Sequence, residues 1–117
     1  MRKLISRGIA IGAGGVAMVI FASTAAYAGT DVNATAYGAY GQFISNGDKF
    51  YVKDMLADGY AVRICYRVNN GSVHTLTNPA GYGTTGMWDL DLAEGSIVTI
   101  DVARTPDTCS PWAVGYA

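Results

Sequence analysis

The stretch Tyr60-Ala61-Val62-Arg63-Ile64-Cys65-Tyr66-Arg67-Val68-Asn69 decides the fold class. Its residues alternate. Tyr60, Val62, Ile64, Tyr66 and Val68 fall on one side of an extended chain, and Ala61, Arg63, Cys65, Arg67 and Asn69 on the other. Successive side chains of a strand point to opposite faces, so this is a half-buried β-strand with one core face. Asn70-Gly71 follows directly, then Ser72–Thr77. Asn-Gly supplies the positive φ angles of a tight hairpin turn, so Tyr60–Thr77 reads as a β-hairpin.

The same grammar extends both ways. Asn46-Gly47 separates Tyr40–Ile44 from Lys49–Asp54, a second hairpin with Phe50 and Val52 inward. Met87–Leu92 sets Trp88, Leu90 and Leu92 against Asp89 and Asp91, and Ala93-Glu94-Gly95 turns the chain. In Ser96–Arg104, Val98, Ile100 and Val102 oppose Thr99, Asp101 and Ala103. Val32–Ala39 and Trp112–Tyr116 are weaker strands at the two ends. Seven or eight short strands with turns every 8–12 residues predict an all-β, single antiparallel β-sandwich, immunoglobulin-like or jelly-roll-like. No linker or internal repeat divides it.

The first 28 residues read differently. Arg2, Lys3 and Arg7 precede an uncharged, mostly apolar run, Gly8–Ala22, and Ala26-Tyr27-Ala28 is a small-x-small site before Gly29. These are the parts of a secretory signal peptide, so cleavage is expected after Ala28 and the protein is expected outside the cell. The rival, a membrane anchor, is weakened by Gly8, Gly12, Gly14 and Gly15 and by the lack of a stop-transfer flank. Three of the eight basic residues and none of the nine acidic ones lie in this segment, so residues 29–117 carry five against nine, a net charge of −4. An acidic domain lacks the clustered Lys/Arg that nucleic-acid binding needs. Once the signal is cleaved, no membrane association is expected.

In an oxidising compartment Cys65 and Cys109 are expected to form a disulfide. Cys65 lies on the more polar strand face, so the bridge is expected to clip the outside of the sheet and not to cross the core. Such a loop stabilises by about 4 kcal/mol in the chain-entropy model. There is no C-x-x-C motif, and His74 is the only histidine, which disfavours a redox or metal pair.

The chemistry of an enzyme is thinly represented. A hydrolase would have to use His74 with Asp89 and Asp91. No nucleophile elbow, phosphate loop or zinc-protease pattern occurs. No catalytic residue and no cofactor is implied. Asp89, Asp91 and Glu94 form a weak calcium candidate, and Asp54 and Asp58 a second acidic cluster; neither matches an EF-hand loop. An ordinary solvated acidic loop accounts for both. The sequons at Asn33 and Asn70 would matter only in a eukaryotic secretory pathway.

Aromatic content is more suggestive. Residues 29–117 hold seven Tyr and two Trp against two Phe. Such side chains pair an apolar face with a polar tip and suit recognition. Tyr37, Tyr40, Tyr82, Trp112 and Tyr116 lie in Gly-rich or terminal segments and are the candidate ligand-binding aromatics; Tyr66 and Trp88 are expected in the core. The Gly/Tyr-rich run Thr35–Gly41 is an edge suited to weak self-association.

Gly47-Asp48-Lys49-Phe50, Ala57-Asp58-Gly59-Tyr60-Ala61-Val62 and a second Cys near the C-terminus resemble features of a loose group of small secreted actinobacterial proteins. The resemblance implies export, a single β-sandwich domain and a bacterial source, and carries no functional residue. The expected function is a non-catalytic module that binds an extracellular protein or polysaccharide. The alternatives are an inhibitor of a secreted hydrolase, with Pro106–Pro111 as a tethered bait loop, a glycan-binding module and, last, a small hydrolase.

Overall fold

The computed structural model describes residues 29–117, so the expected signal peptide lies outside the described residues. Eight strands follow one another: β1 (Val32–Ala36), β2 (Ala39–Ile44), β3 (Lys49–Asp54), β4 (Val62–Val68), β5 (His74–Asn78), β6 (Thr85–Asp89), β7 (Ile97–Arg104) and β8 (Ala113–Tyr116). They form two four-stranded sheets, β1-β2-β3-β6 and β5-β4-β7-β8, and every pairing is antiparallel. The β4–β5 hairpin of the second sheet is inserted in the chain between β3 and β6, which pair in the first. An N-terminal bridge, Thr30 to Tyr116, ties the start of the first sheet to the end of the second.

Alternation builds the core. Phe43, Phe50 and Val52 from the first sheet meet Val62, Ile64, Val98, Ile100 and Val102 from the second, all buried. Each such side chain contributes about 1.5–3 kcal/mol when fully removed from water. Phe43 and Phe50 are cross-strand partners with ring centroids 5.0 Å apart, and Phe50 lies 4.6 Å from Tyr66 in the facing sheet. Tyr66 and Trp88 pack against this core, as expected. Gly41 marks a close approach of the sheets: a Cβ there would stand 2.2 Å from Val102 Cγ1.

Two local details differ from the sequence reading. The hairpin after β4 turns on Asn69 and Asn70, at φ 53° and 59°, one residue earlier than Asn70-Gly71, and Gly71 N–H closes the turn onto Val68 O at 3.0 Å. Asparagine tolerates this left-handed geometry. Asn69 is also held by β7: its N–H donates to Ile97 O and its Oδ1 accepts from Ile97 N–H. Those two bonds fix the register and so the turn. Tyr60, expected on the core face, lies before β4 and is 47% exposed. Its N–H donates to Asp58 Oδ1, and its ring is drawn to Arg104.

The disulfide joins Cys65 on β4 to Cys109 in the β7–β8 loop. Cys65 is buried yet stands apart from the hydrophobic core, because the loop covers it on the outer side of the second sheet. The bridge therefore clips the outside of the sandwich. Among the described residues no helix is long and apolar enough to cross a membrane.

Candidate functional site

Because all pairings are antiparallel, the β1–β2, β3–β4, β5–β6 and β7–β8 connections leave from one end of the sandwich. The β2–β3, β4–β5 and β6–β7 connections leave from the other, where Thr30 and Tyr116 also meet. The two ends differ in chemistry.

At the first end Arg104, the last residue of β7, organises three loops. Its Nε and Nη2 donate to Asp107 Oδ2 and Oδ1 at 2.9 and 3.2 Å, and its Nη1 donates to Asp58 Oδ2 at 3.1 Å. Its Cζ lies 5.0 Å from the ring centroids of both Tyr37 and Tyr60. A guanidinium is planar and weakly hydrated, so it can pair with carboxylates at its edge while stacking on rings at its faces. The two carboxylates, Asp107 foremost, hold Arg104 above its ordinary pKa. The hydrogen bond from Tyr60 N–H, aided by Arg104 against a smaller effect of burial, holds Asp58 below the usual carboxylate value.

Beside this cluster lies a pocket of about 260 Å³, walled by Tyr60 and Tyr82 and lined also by Asp54, Leu56, Pro79 and Gly81. Its wall is built, not improvised. Asn78 Nδ2 donates to Thr84 O and Thr84 Oγ1, and its Oδ1 accepts from Ala80 N–H. Gly83 N–H donates to Asp54 O at 2.8 Å, with Gly81 and Gly83 at φ 103° and 82°, where a side chain would be strained. Asp54 is 2% exposed; its Oδ1 accepts from Leu56 N–H at 3.2 Å. Among the described residues its Oδ2 accepts no hydrogen bond.

The five candidate aromatics fall into three places. Tyr37 and Tyr82, 70% and 65% exposed, are on the loop-bearing end. Tyr40 is on the outer face of the first sheet, opposite Lys53. Trp112 and Tyr116 stand with Val114 along the outward side of β8, exposed. Tyr60 completes the first group and was hidden in the sequence by its place at the head of the alternating run. Arg104 was likewise legible only as a strand end, and Asp54 only as a member of the acidic cluster with Asp58.

The bait candidate, Pro106–Pro111, lies flat. Arg63 Nη2 donates to Asp107 O at 2.7 Å, Ser110 N–H to Asp101 Oδ2, and Trp112 Nε1 to Asp101 Oδ1. Together with the disulfide these bonds press the loop onto the sheet. At the far end His74 stacks on Tyr66 at 5.3 Å. Among the described residues it has no hydrogen bond or ion pair with a carboxylate. Asp89, Asp91 and Glu94 are exposed there and do not converge: among the described residues the one trio of metal-capable groups within 4.8 Å of one another is Cys65, Asp101 and Cys109. Both sulfurs of that trio are spent in the disulfide. Comparison with protein families, curated proteins and solved structures returned no match to this chain.

Proposed function

We propose that residues 29–117 act as a non-catalytic extracellular binding module, exported by the 1–28 segment, and that the loop-bearing end is its binding face. The observation that carries this reading is a pocket lined by exposed Tyr60 and Tyr82 on hydrogen-bonded loops, with exposed Tyr37 joined to Tyr60 through Arg104. Exposed tyrosines supply large contact area at low entropic cost. Ordered loops lose little more on docking. The disulfide suits an oxidising location. The inhibitor reading is less well supported, because Pro106–Pro111 is pressed against the sheet instead of projecting.

The test is capture from the producer's culture medium on immobilised protein, alongside a polysaccharide array. A bound species that disappears with Tyr37→Ala/Tyr82→Ala supports this face. Undiminished capture by that variant places the face elsewhere, and silence in both formats removes the binding role.

A further inference from the structure

We propose that the pocket between Tyr60 and Tyr82 receives an arginine side chain from a basic protein partner, with Asp54 as its carboxylate; this deepens the binding-face reading and rests on it. The molecule contains its own template. One inter-tyrosine position, between Tyr37 and Tyr60, is already filled by the guanidinium of Arg104, 5.0 Å from each ring and held by Asp58 and Asp107. The neighbouring position shares Tyr60, is lined also by Tyr82, and is open, with about 260 Å³ of space. That is below the usual ~300–1,000 Å³ of small-molecule sites and suits one inserted side chain.

The pocket also lacks what a guanidinium would bring. Asp54 is a buried carboxylate with its backbone N–H and C=O already engaged by Thr84 and Gly83 and its Oδ1 by Leu56. Its Oδ2 has no donor among the described residues. A carboxylate oxygen that no protein donor meets, at the wall of an open pocket, is free to take a charge-assisted hydrogen bond from an incoming guanidinium. The domain is acidic: residues 29–117 carry a net −4. A lysine ammonium would meet the charge but gains less from two ring faces, being compact and strongly hydrated. A neutral sugar would use the rings but leave the carboxylate charge unanswered.

The experiment is a titration of the disulfide-bonded protein, followed by amide chemical shifts, with N-acetyl-arginine amide, its uncharged analogue N-acetyl-citrulline amide, and methyl glucoside. The expected result is saturable shifts at Leu56, Ala57, Gly81 and Tyr82 with the arginine probe alone, with a dissociation constant of roughly a millimolar. Asp54→Asn keeps the acceptor for Leu56 N–H and is expected to weaken binding at least tenfold. Tyr82→Ala, at an exposed loop position whose loss leaves the core intact, is expected to weaken it about threefold or more. Equal shifts with citrulline, shifts with the glucoside alone, or unchanged affinity in Tyr82→Ala would overturn the proposal. If a partner is captured through Tyr37 and Tyr82 while the arginine probe stays silent, the binding face stands and the arginine assignment falls.

Discussion

At the scale of single residues, Gly41 sets how closely the sheets approach. The Val102 methyl occupies the volume that a Cβ would need. Gly41→Ala should cost about 1–3 kcal/mol of overpacking, read as a lower urea midpoint at unchanged slope. A neutral result would mean that the sheets can part at no cost. Tyr66 makes a second, pH-dependent prediction. Burial pushes its phenol above the ordinary value of 10.0. The unfolded chain then loses this proton first, so the contribution is intact below pH 10 and declines as pH rises through the folded pKa. Tyr66→Phe should flatten the alkaline fall in stability relative to wild type. Parallel profiles for the two proteins would show that Tyr66 titrates normally.

At the scale of elements, the β7–β8 loop depends on its bridge. Removing it with Cys65→Ala/Cys109→Ala should destabilise the protein by about 2–4 kcal/mol and free the loop, seen as faster hydrogen exchange at Ser110 N–H. Retained protection would show that Asp101 and Arg63 suffice. The β6–β7 connection carries a different expectation. Because the carboxylates of Asp89, Asp91 and Glu94 do not converge, added calcium should leave the melting temperature unchanged; a rise that chelator reverses would show that backbone carbonyls complete a site. The strands themselves were legible because a half-buried strand imposes period two on its own sequence, as in Val62–Val68 and Val98–Val102. The loop-end site was not. Asp54 and Tyr60 are far from Tyr82 and Arg104 in the chain, and their meeting depends on which strand ends share one end of the sandwich. Tyr60 was read as core because alternation does not mark where a strand begins.

At the scale of the whole molecule, the antiparallel plan separates the two ends: aromatic and ion-paired loops at one, acidic turns and the Thr30–Tyr116 bridge at the other. That bridge, with Thr30 N–H to Tyr116 O at 2.9 Å and Tyr116 N–H to Thr30 O at 3.0 Å, has a mechanical consequence. A stretching force applied through the two ends of the domain loads these bonds together with those of Ala117 to Gly95 and Ser96, and then opens the β7–β8 ladder pair by pair. That is an unzipping geometry, weak compared with shearing a whole ladder at once. The covalent link at Cys109 is a stop. Peeling from the C-terminal side should release only residues 110–117, about 28 Å of extended chain, before tension passes to β4. In an optical trap the oxidised protein should show this short first step, and Cys65→Ala/Cys109→Ala a longer one that runs on into β7. Steps of identical length would place the stop elsewhere.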